Sequence, residues 1–142
     1  MKAKLKSELK EAMKAKDKIL LETIRSLLSE IQYEEMQKGI EDLSATDTTA
    51  LVQRALKKRQ EELQFAEQAS RLDLKDKLLT EIRIVEAYLP KQLTEAELET
   101  IISKMKEETP GIALSLAMKG LKDNYSGLYD GKLASDVAKR LL

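Results

Sequence analysis

The side chains of this sequence that could do chemistry are mostly cations. Arg54, Lys57, Lys58 and Arg59 sit in one short run, and Arg71 with Lys75 follows. Residues 112–142 carry Lys119, Lys122, Lys132, Lys139 and Arg140 against three aspartates. Residues four apart share a helix face, so Arg54 goes with Lys58 and Arg71 with Lys75. Clusters of this kind suit a phosphate backbone, where each cation displaces condensed counterions. They also serve as ordinary solvated helix faces. Arg59 differs from the rest, being four residues after Ala55 and four before Leu63, inside an apolar seam. Two expectations attach to it: a snorkelling or ion-paired arginine, or an anchored cation offered to a phosphate.

Other chemistry is hard to assemble. The chain has no Cys and no His. That removes thiolate nucleophiles, Cys-type zinc sites, the commonest general base and the commonest transition-metal ligand. A di-iron bundle site needs Glu-x-x-His. The adjacent pairs Glu34-Glu35, Glu61-Glu62 and Glu107-Glu108 point to different sides of a helix, so they predict solvated faces rather than an acid/base dyad. Gly120, Gly127 and Gly131 match neither phosphate-binding glycine pattern. A serine nucleophile would lack its base. The expectation is no catalytic residue, no metal and no cofactor. Four Tyr and one Phe are scattered, which does not indicate a base-stacking platform.

The elements that position these cations read as helices. Apolar residues make up 42% and charged residues 35%, a helix-type composition too apolar to be wholly disordered. With few β-branched runs, no sheet is expected. Net charge is zero, which excludes bulk attraction to nucleic acid but not a local patch. The first 16 residues hold six lysines against two glutamates, and residues 94–108 hold five glutamates against two lysines. No apolar run approaches the ~18 residues of a membrane span, and the basic N-terminus lacks a signal-peptide apolar region. The expectation is a cytoplasmic protein without membrane contact.

Helical spacing predicts a first helix over 2–15, with Leu5, Leu9, Ala12 and Met13 on one face, and a second over 18–38, capped by Asp17 and closed by Gly39. A third runs over 45–69 after Ser44, with Leu51, Val52, Ala55, Leu56, Leu63 and Ala66 inward. Ser70 predicts a cap for a fourth over 71–88. At Tyr88-Leu89-Pro90-Lys91-Gln92-Leu93 the chain must turn, because Pro90 lacks an N–H and pushes Leu89 out of the α region. Thr94 with Glu97 then forms a capping box, and Leu93 with Leu98 a hydrophobic staple. Three short helices follow, over 95–108, 112–123 and after Asp130, with Leu114 among the inward residues of the second. The expected fold is all-α, in two helical bundles: about four helices in residues 1–90, then a small three-helix domain in 94–142.

The run Leu56-Lys57-Lys58-Arg59-Gln60-Glu61, then Phe65, Arg71-Leu72-Asp73-Leu74, Glu81-Ile82 and Tyr88 to Leu93, resembles the YqeY-like proteins of the GatB/YqeY group. Arg25 and the Gly127…Asp130-Gly131…Val137 pattern match as well. The likeness covers essentially the whole chain. One departure stands in the sixth helix, where the family has Asp-Met-Gly-Lys-x-Met and this chain has Ala113-Leu114-Ser115-Leu116-Ala117-Met118. The resemblance implies kinship with the C-terminal tail of the B subunit of the glutamine-dependent aspartyl/glutamyl-tRNA amidotransferase. It implies a non-catalytic tRNA-binding module, with any carbon–nitrogen ligase label inherited from the larger enzyme. The alternative is a protein-interaction module docking to an amidotransferase or aminoacyl-tRNA synthetase complex.

Overall fold

The computed structural model describes residues 1–142. Its regular structure is seven helices and no strand: α1 (Lys2–Ala15), α2 (Lys18–Lys38), α3 (Ala45–Gln68), α4 (Leu72–Glu86), α5 (Glu95–Glu108), α6 (Leu114–Tyr125) and α7 (Gly131–Leu141). The all-α expectation is met. Side-chain caps start four of these helices by accepting N–H groups that have no partner inside the helix. Asp17 accepts from Leu20 at 3.2 Å, Ser44 from Asp47 at 3.1 Å and Asp130 from Leu133 at 3.1 Å. At Thr94 the box is complete: its hydroxyl accepts the Glu97 N–H, and the Glu97 carboxylate accepts the Thr94 N–H, both at 3.2 Å. At Ser44 the return bond of a capping box is not made, and the Asp47 carboxylate faces Lys38, 3.0 Å away.

The end of α3 departs from expectation. Ser70 does not cap α4; it closes α3 in the left-handed region, at φ 55°. The Ser70 N–H donates to the Glu67 carbonyl and the Arg71 N–H to the Ala66 carbonyl, the paired bonds of a Schellman ending. Arg71 becomes the residue before α4 and caps nothing with its side chain. Lys16, at φ 56°, ends α1 with the same bonding pattern, and Gly39 ends α2 as its glycine predicts. Only the glycine version is legible from residue type, since a left-handed Ser or Lys is held there by the bonds it makes. The sixth helix starts two residues later than its pattern predicts, with Ala113 at a cap position that offers no side-chain acceptor.

The chain divides into two compact units, Met1–Leu89 and Pro90–Leu142. In the first, α2 packs against α1, α3 and α4, and α3 packs along α4. Leu5 from α1, Ile24, Leu27 and Ile31 from α2, Val52 from α3 and Val85 from α4 meet in its core. Tyr88 closes this core with its ring under the Lys4 ammonium, 5.4 Å from the centroid. Met13, expected inward, is exposed at the end of α1. In the second unit, α7 packs against α5 and α6 over a core of Leu98, Ile102, Leu121, Ala134, Val137 and Ala138. Leu93 packs on that core beside buried Leu98, so both residues of the expected staple serve it. The Leu93 N–H donates to the Leu128 carbonyl at 2.6 Å, and the Gln92 amide to the Gly127 carbonyl at 3.0 Å. Leu114, also expected inward, lies exposed on the first turn of α6. No helix is long and apolar enough to cross a membrane.

Candidate nucleic-acid interface and an ionic clasp

In the first unit three of the six candidate cations already face carboxylates. Arg54 donates to Glu34 on α2 at 3.2 Å. Arg71 lies 3.8 Å from Asp73, and Lys75 lies 4.0 Å from Glu67. Lys57 is half-buried and engaged, whereas Lys58 points to solvent. Arg59 is 8% exposed. Its Nη1 donates to the Ala55 carbonyl at 3.0 Å, one turn back on its own helix, and its buried Nε has no partner. The apolar seam seen in the sequence therefore encloses this guanidinium rather than presenting it at the surface. Pairing across exposed surfaces is weak, and Arg54, Arg71 and Lys75 each have a carboxylate beside them.

The second unit differs. Lys119 and Lys122 on α6, and Lys132 and Lys139 on α7, are all exposed, and none is within ion-pair reach of a carboxylate. Their placement follows from the helix period. Lys132 and Lys139 are seven apart and lie opposite buried Ala134, Val137 and Ala138; Lys119 and Lys122 lie opposite buried Ala117 and Leu121. Arg140 is the exception, bonded to Glu99 and 3.6 Å from Glu95 on α5. Glu99 beside it raises the guanidinium above its ordinary value, so Arg140 ties α7 to α5.

A feature absent from the sequence expectations lies at the start of α1. Glu35 is 6% exposed, although the Glu34-Glu35 pair predicts a solvated face. Its carboxylate accepts from the Lys2 ammonium at 3.1 and 3.2 Å and from the Leu43 N–H at 3.0 Å. Lys2 also reaches Asp42, 2.9 Å away, and the Glu41 carbonyl at 3.2 Å. The bonds to Asp42 and Glu35 raise the lysine above its usual range, and Lys2 holds Asp42 below the usual carboxylate range. The clasp lines an open cavity of about 620 Å³ together with Ile31, Leu43 and Thr48. The signal was present: Ile24, Leu28, Ile31 and Glu35 continue one 4-3-4 stripe. The clasp is saturated internally, which makes it an anchor for α1 and the 41–43 loop. No group of three or more carboxylates is placed to hold a metal ion.

Comparison with known proteins adds to this geometry. The family model described as Yqey-like protein matches residues 2–142. The chain belongs to the YqeY-like family. Among curated relatives, the protein named "Altered inheritance of mitochondria protein 41, mitochondrial" from Lachancea thermotolerans is 31% identical over 123 residues. That match covers 82% of this YqeY-like chain and 66% of the relative. The protein of the same name from Kluyveromyces lactis is 32% identical over 118 residues, covering 79% of this chain and 64% of the relative. The chain thus spans just under two thirds of the length of these relatives. Within this YqeY-like fold Ala113 and Ser115, which stand where the motif has Asp and Gly, are exposed at the start of α6.

Proposed function

We propose that this YqeY-like protein is a tRNA-binding module without an active site of its own, working beside glutamine-dependent amidotransfer rather than performing it. The observation that carries the reading is the set of four exposed, unpaired lysines, Lys119, Lys122, Lys132 and Lys139, on the outer faces of α6 and α7. Charge held away from carboxylates retains its value for a phosphate backbone. Family kinship to an amidotransferase tail supplies the class of nucleic acid. The cytoplasm is the proposed compartment; the relatives' names assign those proteins to mitochondria, and both compartments contain tRNA.

The test is anisotropy of labelled bulk tRNA across a salt series. Phosphate contacts by these four lysines contribute about −3 to the log–log slope, and replacing all four by Gln should flatten it by that amount. No binding at low salt would end this reading.

A second reading, docking to an amidotransferase or synthetase complex, rests on α2. Tyr33 and Met36 are exposed one turn apart near the end of α2, and Ile40 is exposed just beyond the Gly39 cap. A nuclease-resistant pull-down of such a complex, lost in Met36→Lys, would support it.

A further inference from the structure

The turn between α3 and α4 exposes two large apolar side chains that no core uses. Phe65, the single phenylalanine, is 72% exposed near the end of α3, and Leu72, which opens α4, is 70% exposed. Most of the exposed residues near them in sequence are polar or charged, among them Glu61, Glu62, Gln64, Gln68, Arg71 and Asp73. A standard protein interface needs roughly 800 Å² per partner around an apolar centre. Two apolar side chains within a charged surround are too few for that, but an exposed ring has the geometry to stack on one flat aromatic ligand.

The cations are arranged along the same line. Arg54, Lys58 and Phe65 stand at i, i+4 and i+11, which keeps them on one exposed face of α3. Lys58 has no ion pair, and beyond the ring the chain turns directly into Arg71, whose N–H is bonded to the Ala66 carbonyl at 2.9 Å. The Arg71–Asp73 contact is a long, exposed pair of the kind that water and salt screen strongly. Glu61 and Glu62 disfavour a phosphate directly at the ring, so the part of a nucleotide that fits there is the uncharged base.

We infer that Phe65 is a stacking platform for an unpaired nucleobase, with Lys58 and Arg71 taking phosphates on either side of it. The inference rests on the tRNA-binding reading above and deepens it. Three of the six candidate cations of the first unit have a carboxylate beside them, so what this turn offers is base contact more than charge. Every base has a π-face, so the platform selects unpaired nucleotides over duplex without reading sequence.

The experiment uses the full chain with labelled bulk tRNA, an unstructured ten-nucleotide RNA and an RNA duplex. Phe65→Ala should weaken binding of tRNA and of the single strand roughly five- to hundredfold, leave duplex binding nearly unchanged, and leave the salt slope unchanged. Phe65→Trp should keep the affinity, and its indole emission, the only tryptophan signal in the chain, should be quenched by the single strand. Circular dichroism should show both variants folded, because the side chain is outside the core. If wild type binds tRNA while Phe65→Ala binds equally well and the tryptophan emission does not move, the stacking inference is overturned and the tRNA reading stands. If wild type binds no RNA at low salt, both are overturned. If Phe65→Ala loses a protein partner and keeps its RNA affinity, the turn is a protein contact and the inference is wrong.

Discussion

At the scale of the residue, burial sorts charges that look alike in sequence. Glu34 and Glu35 are neighbours, yet Glu35 is enclosed with Lys2 and the Leu43 N–H while Glu34 faces Arg54. Removing a buried carboxylate leaves its donors without a partner, which costs more than the pair contributes in net terms. Glu35→Ala should therefore destabilise the first unit by about 1–3 kcal/mol. Glu35→Gln, which keeps an acceptor for Leu43, should cost less. Urea denaturation midpoints measure both, and equal midpoints for wild type and Glu35→Ala would remove the clasp from the account. Arg59 makes the converse point: its type suggests availability to a ligand, and its surroundings withdraw it.

At the scale of the element, helix ends decide where the corners fall. Lys16 and Ser70 occupy left-handed positions that cost an L-residue roughly 1 kcal/mol relative to glycine. Lys16→Gly and Ser70→Gly should each stabilise by about 0.5–1 kcal/mol in thermal or urea unfolding, whereas Gly39→Ala, at φ 66°, should destabilise by a similar amount. The start of α6 offers the complementary case. Ala113 gives its first N–H groups no acceptor, so Ala113→Asp should stabilise the second unit by about 1 kcal/mol. A loss of stability in that variant would mean that the exposed first turn is not limited by its cap. Caps written in Asp, Ser, Thr and Gly were legible in the sequence. The ending at Ser70 was not, because it depends on which carbonyls its N–H and the next one reach.

At the scale of the whole molecule, the chain has zero net charge unevenly distributed, and its titration should reflect local pairs. Lys2 holds Asp42, Lys38 holds Asp47, and the Thr94 N–H and hydroxyl hold Glu97, each below the usual carboxylate range. For a depressed folded value the unfolded chain binds more protons, so this stabilisation is present above the ordinary carboxylate pKa near 4 and is lost as pH falls through the lowered values. Lys2 is raised, so its contribution is present below the ordinary lysine value and is lost as pH rises through the raised one. With no His, stability should be nearly flat between about pH 6 and 9 and fall outside that range. Urea midpoints across pH test this, and Asp47→Asn should flatten part of the acid limb. A bell centred near pH 6.5 would contradict it.

Sequence by itself determined the all-α class, the positions of the helices, the turn at Pro90 and the capping box after it. These follow from periodicity, from a missing N–H and from side-chain acceptors within three or four residues, all local in the chain. It also placed the candidate cations on helices, with Arg71, which precedes α4 rather than belonging to it, the exception. Only the tertiary structure decided which cations remain available, because that depends on carboxylates brought near by packing: Glu34 to Arg54 across α2 and α3, and Glu99 to Arg140 across α5 and α7. The exposure of Phe65 and the burial of Glu35 were decided in the same way. Apolar and charged side chains receive their environment from neighbours distant in sequence, and periodicity along one helix does not say what the adjacent helix covers.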